Sequence, residues 1–215
     1  MIEEKVNVKI INPFGPSIAI TKIPNQILVK LNDYFETSNK NKEKIKKLNY
    51  GNKLVGAVTQ EIKIDHEFSK ECGWTSFLEQ TTQVYVQFLT QRKISKFSLI
   101  DTWIVSQFKH EYNPTHWHGG HISGAGYLKV PNTLGTNYQD KKHTLNHNGF
   151  LQLIHGSRQF LSNSILNIKP ELGNFYLFPN YLMHTVFPFK DTDQERRCVS
   201  FNAEIDKEIY NVYEN

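Results

Sequence analysis

From Phe97 onward the chain reads as one short β-rich piece after another: "FSLIDTWIVSQF", "ISGAGYLKVP", "GFLQLIHG", "SILNIKP", "GNFYLFP", "HTVFPF" and "RRCVSFNAEI". Turn residues punctuate them. Pieces this short cannot bury themselves singly, and their even spacing predicts a sandwich, barrel or jelly roll. Phe and Tyr, 14 and 10 in number, favour the same class.

The first 96 residues follow a different grammar. "VNVKII" (Val6 to Ile11) and "LVGAVTQEIKI" (Leu54 to Ile64) alternate like strands. "PNQILVKLNDYFE" (Pro24 to Glu36) has helical spacing, with Pro24 suited to a first turn. In "WTSFLEQTTQVYVQFLTQRK", residues Trp74, Phe77, Leu78, Thr81, Tyr85, Phe88 and Leu89 fall on one helical stripe, which predicts a core face. The expectation is one domain over 1–215, mainly β with flanking helices. Its helix-rich portion, 1–96, packs on a β core over 97–205.

Charge excludes little. The net charge is +4, and much of the excess sits in "NKNKEKIKK" (Asn39 to Lys47), read as a solvated, poorly ordered surface segment rather than a nucleic-acid groove. Cys72 and Cys198 are too far apart in sequence to suggest a disulfide framework or a zinc CxxC. The charged, alternating start is unlike a signal peptide, and no apolar run is long enough to span a bilayer. The chain reads as soluble and cytoplasmic, with no membrane partner.

Histidine is concentrated in the β core: of nine, only His66 precedes residue 110. In "NPTHWHGGHISG", His116 and His118 are two apart, and on a strand such residues share a face. Two imidazoles on one face can ligate one ion, and His184 in "NYLMHTVF" is the candidate third ligand. His121 competes, since His118 and His121 could ligate from a turn. In "ERRCVSFN", alternation puts Arg196, Cys198, Ser200 and Asn202 on one face and Arg197, Val199 and Phe201 on the other. The small residues beside Arg196 leave room for a ligand, and a guanidinium there suits a carboxylate. Arg196 is therefore the inward choice and Arg197 the fallback.

In their order, "SQFKHEYNPTHWHGGHISGAGYLKVP", "GFLQLIHGSR", "GNFYLFPNYLMHTVFPF" and "RRCVSFN" resemble the 2-oxoglutarate/Fe(II)-dependent dioxygenases, most closely a little-characterised bacterial and phage branch. The resemblance covers most of 103–202 and only loosely the first hundred residues. It implies a double-stranded β-helix, a jelly-roll relative of the cupins. It implies Fe(II) on His116, His118 and His184, and 2-oxoglutarate with its far carboxylate on Arg196. Tyr127 and Gln107 match positions where such proteins line the cosubstrate pocket. The implied reaction is oxidative decarboxylation of 2-oxoglutarate to succinate coupled to substrate oxidation, usually hydroxylation. One position departs from the pattern. The usual facial triad is two His and a carboxylate, and here position 118 is histidine. Three neutral imidazoles leave the ion at +2 instead of +1.

That departure keeps a second class open, a three-histidine cupin-type enzyme that does not use 2-oxoglutarate. A third is a non-catalytic jelly-roll binding module. Surface roles are expected for His66, His110, His143 and His147. His155 and Arg158 are either substrate-facing or loop anchors. The loop "NTLGTNYQDKKHTLNHNG" (Asn132 to Gly149) is expected to overhang the pocket. Nothing in the sequence names the primary substrate.

Overall fold

The computed structural model describes residues 7–11, 15–138 and 145–211. Its strands are β1 (Lys9–Ile11), β2 (Ile18–Lys22), β3 (Gln60–Lys63), β4 (Phe97–Gln107), β5 (Asn113–His116), β6 (Ile122–Lys129), β7 (Leu151–Ile154), β8 (Ile165–Ile168), β9 (Asn174–Pro179), β10 (Met183–Val186) and β11 (Arg196–Ile205). Its helices are α1 (Asn25–Asn39), α2 (Lys42–Leu48), α3 (His66–Glu71), α4 (Trp74–Thr90) and α5 (Lys207–Tyr210). Two antiparallel sheets form: a seven-stranded one ordered β1-β2-β9-β6-β11-β4-β3, and a four-stranded one ordered β5-β10-β7-β8. This is the jelly roll that the strand pattern predicts.

Period-two alternation divides the large sheet into two faces. One face carries Ile104, Leu128, Phe175, Leu177, Val199 and Phe201, which share a core with Leu31 and Phe35 of α1 and Trp74, Phe77 and Leu78 of α4. Phe175 sits edge-on to Trp74 and Phe77 and stacks on Phe201. The other face puts Tyr127, Tyr176, Phe178 and Cys198 against Leu151, Leu153, Leu182 and Val186 of the small sheet side. Each fully buried aromatic or aliphatic side chain contributes about 1.5–3 kcal/mol, so both layers are strongly held. Among the described residues no helix is long and apolar enough to cross a membrane.

Three expectations need correction. The lysine-rich run is not irregular: residues 42–48 form α2. Asn41 caps it by accepting from the backbone N–H groups of Glu43 and Lys44, and Leu48 is buried at its end. The α4 stripe drifts, so Thr82 and Val86 are buried while Phe88 is 61% exposed and Leu89 40%. The strand-like stretch from Leu54 is a strand only over β3; residues before it run irregularly, held by an isolated bridge between Ala57 and Tyr112. Val6 of the first expected strand and His143 lie outside the described residues. Cys72 and Cys198 are both buried free thiols.

Candidate metal centre and cosubstrate pocket

Strand pairing brings the histidines together. His116 of β5 and His184 of β10 are direct cross-strand partners. His118 lies beyond the end of β5, in a turn fixed by two bonds to Asn180: the His118 N–H donates to the Asn180 carbonyl, and the Asn180 side-chain amide donates to the His118 carbonyl. Strand alternation therefore accounts for His116, while the turn delivers His118. Ligand atoms of the three rings lie within 4.8 Å of one another. The Nε2 atoms of His118 and His184 are 3.0 Å apart. Two nitrogens bound at right angles to one ion at about 2.0–2.1 Å would be separated by about 3 Å.

Backbone carbonyls set the tautomers. A carbonyl only accepts, so His116 Nδ1 donates to Pro114 O at 2.7 Å and His184 Nδ1 to Leu182 O at 2.8 Å. Each leaves its Nε2 lone pair free for the cluster, as outer-shell partners of metal-bound imidazoles do. Burial, reinforced by the neighbouring imidazoles, pushes His118 down to about 2. Burial and His116 push His184 down to about 4, and burial lowers His116. The three rings are neutral at neutral pH, the form a metal requires. His121 is elsewhere: its ring stacks on Tyr210 with centroids 4.0 Å apart, and its Nδ1 accepts from the Ile205 N–H.

The same cavity is lined by Tyr127, Arg196, Cys198 and Ser200. Arg196 is 3% exposed. Its Nη1 donates to Gln107 Oε1 at 2.9 Å, and its guanidinium lies 5.0 Å from the Tyr127 ring centroid. Its Nε and the Tyr127 hydroxyl are buried with no partner. Burial pushes the Tyr127 phenol up, so it keeps its proton. Two orphaned donors in one cavity call for an acceptor, because an unpaired buried donor costs about 1–3 kcal/mol. Arg197 points the other way. It is bound by Glu195, Glu36 and Asn32 and lies over the Phe35 ring, tying β11 to α1. Gln107 lies outside the cavity lining. Its amide donates to the carbonyls of Glu111 and Phe187, and its oxygen braces Arg196.

Residues 101–202 match the model of a family described as "Putative 2OG-Fe(II) oxygenase". That stretch is similar to the 2-oxoglutarate/Fe(II) oxygenases. Solved structures agree in fold. A prolyl-4-hydroxylase from Pseudomonas putida aligns over 86% of this chain and 91% of its own, with a TM-score of 0.58 at 14% identity. AviO1 from Streptomyces viridochromogenes Tue57 aligns over 87% and 89%, with a TM-score of 0.56 at 10% identity. A Trichoplax adhaerens prolyl hydroxylase, solved with a hypoxia inducible factor peptide fragment, aligns over 92% and 87%, with a TM-score of 0.53 at 12% identity. Comparison with curated proteins returns no match.

The superfamily's cofactors are Fe(II) and 2-oxoglutarate, and the donor set fits both. Three neutral imidazoles suit a divalent ion, and the orphaned Arg196 and Tyr127 donors suit a carboxylate. His155 and Arg158 do not line the cavity, and Arg158 borders a shallow surface depression over 158–163. The loop over 132–149 does not overhang it among its described residues. Buried Asn148 binds the Leu134 and Thr136 carbonyls, and Thr136 binds Asp191, holding this loop against the β10–β11 connection. The mouth is formed instead by Lys53, Leu54, Val55, Gly56 and Trp117, with Glu61, Trp103 and Asn113 inside. Sequence reasoning missed these because they come from four separate segments that only the register of β3, β4 and β5 unites. The Trp in "THWHGG", between two ligand candidates, was the one available signal.

Proposed function

We propose that the chain is an Fe(II)- and 2-oxoglutarate-dependent hydroxylase. His116, His118 and His184 hold the metal. Arg196 takes the distal carboxylate of 2-oxoglutarate, assisted by the Tyr127 hydroxyl. The observation that carries this reading is the pair of orphaned buried donors in the cavity that also holds the three imidazoles. Once bound, the metal would let O2 oxidise 2-oxoglutarate to succinate and CO2 together with hydroxylation of a substrate C–H bond. The chain's own part is to bind, orient and exclude water. Gln107 holds the guanidinium in place, and Tyr127 offers both a ring face and a hydrogen-bond donor. Trp103, tilted against His118 with centroids 5.6 Å apart, walls the metal side.

Calorimetric titration of 2-oxoglutarate into metal-loaded, anaerobic protein tests the assignment. Arg196→Ala is expected to weaken binding about tenfold or more, since charge-assisted bonds are worth about 1.5–3 kcal/mol and 1.4 kcal/mol is a decade. Metal affinity stays, because no ligand is touched. Arg197→Ala leaves 2-oxoglutarate affinity unchanged and lowers stability. Histidine at position 118 favours a second reading, a three-histidine enzyme whose substrate chelates the metal directly. Unaltered affinity in Arg196→Ala, or no succinate with any substrate that is oxidised, would put that reading first.

A further inference from the structure

We propose that Glu61 is the specificity-determining residue of this cavity, and that the substrate presents a cationic nitrogen to it, an ammonium or a guanidinium. The proposal rests on the oxygenase reading of the site and names the substrate class for it. Glu61 lies on β3, opposite Val105 of β4, and its side chain lines the cavity that holds the histidines. It is only 4% exposed. Among the described residues no hydrogen bond or ion pair reaches its carboxylate, and burial alone raises its pKa, to about 7. A buried carboxylate without a partner is costly to keep unless something arrives to pair with it.

A second unsatisfied acceptor stands beside it. Asn113 Oδ1 is buried with no partner. A Cβ built on Gly56 would lie 2.1 Å from Asn113 Oδ1 and 2.9 Å from Glu61 Oε1, so the two oxygens are within about 5 Å of each other. Two acceptors converging without a donor are the reverse of the Arg196 end, where two donors converge without an acceptor. One end suits an anion; this end suits a hydrogen-bond donor with positive charge. The walls agree. Trp103 is buried in the cavity, and Trp117 stands at its mouth, 64% exposed. Indole faces attract Lys- and Arg-like cations. Lys53 at the rim does not fill the role. Its ammonium lies 5.5 Å from the Tyr50 ring centroid, and its charge acts on Asp101, not on Glu61. A small residue at position 56 is needed because any side chain there would run into both acceptors.

The test uses the full chain, metal-loaded and anaerobic with 2-oxoglutarate, and reads tryptophan fluorescence. The probes are Nα-acetyl-lysine methylamide and Nα-acetyl-arginine methylamide, against their neutral isosteres, Nα-acetyl-2-aminoheptanoic acid methylamide and Nα-acetyl-citrulline methylamide. At least one cationic probe is expected to bind about tenfold more tightly than its isostere. Glu61→Gln is expected to bring that ratio near one while calorimetric affinity for 2-oxoglutarate stays within about twofold of wild type. Equal binding of probe and isostere, no binding of either cation, or a preference that survives Glu61→Gln would overturn the proposal. If the cation preference holds while 2-oxoglutarate fails to bind wild type, the oxygenase reading falls and the cation site stands.

Discussion

At the scale of single residues, the depressed histidines have a measurable consequence. In the unfolded chain these imidazoles titrate near 6.5, whereas His118 and His184 are held at about 2 and about 4. The folded apo state therefore binds fewer protons than the unfolded state below 6.5. Its stability is fully present above that pH and is lost as pH falls through the folded values. The same displacement governs metal uptake. At pH 6, three ordinary imidazoles would release about two protons on binding an ion. Here the release is expected to be less than one. Calorimetric titration of Zn(II) at pH 6 in buffers of different ionisation enthalpy measures it directly. Release of two protons would show that the rings are hydrated and separate in solution.

At the scale of elements, the glycines of β6 decide how closely the large sheet packs. A Cβ on Gly124 would come within 2.6 Å of the Tyr176 backbone oxygen and 2.7 Å of the Phe201 ring. The first neighbour is β9 backbone and cannot step aside. Gly124→Ala is expected to destabilise the fold by about 1–3 kcal/mol, the usual cost of overpacking, as read by urea denaturation. "ISGAGYLK" read as a strand on sight, because its period-two pattern survives the glycines. The same logic separates Arg196 from Arg197, since one strand's alternation is a local property. What failed was non-local or fine-grained. Leu54 to Thr59 alternates like a strand, yet only the residues from Gln60 find a partner in β4. The α2 run looks like solvated charge because only Leu48, at its end, is fully buried, while Ile45 packs on the core half-exposed. Glu61 and Trp103 were invisible as site residues because nothing local tells a buried acid on an edge strand from an exposed one.

At the scale of the whole molecule, the proposed ligands bridge two sheets. His116 and His184 belong to the four-stranded sheet, whereas Tyr127 and Arg196 belong to the seven-stranded one. Between them the sheets share an apolar layer that includes Leu151, Leu153, Phe178 and Val186, but among the described residues no hydrogen-bonded ladder joins the two. A metal alone ties only the histidine side. A diacid that chelates the metal at one end and meets Arg196 at the other would tie both sheets, and only when the metal is present. Stabilisation by a ligand that binds the native state is RT ln(1 + [L]/Kd), about 2.7 kcal/mol at a hundredfold excess over Kd. In a chain of this size 1 kcal/mol moves Tm by roughly 2–4 °C. 2-Oxoglutarate at that excess is therefore expected to raise Tm by roughly 5–10 °C in Mn(II)- or Zn(II)-loaded protein, and by little in chelator-treated protein. Arg196→Ala should abolish the increment from 2-oxoglutarate and keep the increment from the metal. Equal stabilisation with and without metal would mean that the diacid binds at Arg196 without chelating, and that it does not tie the two sheets through the metal.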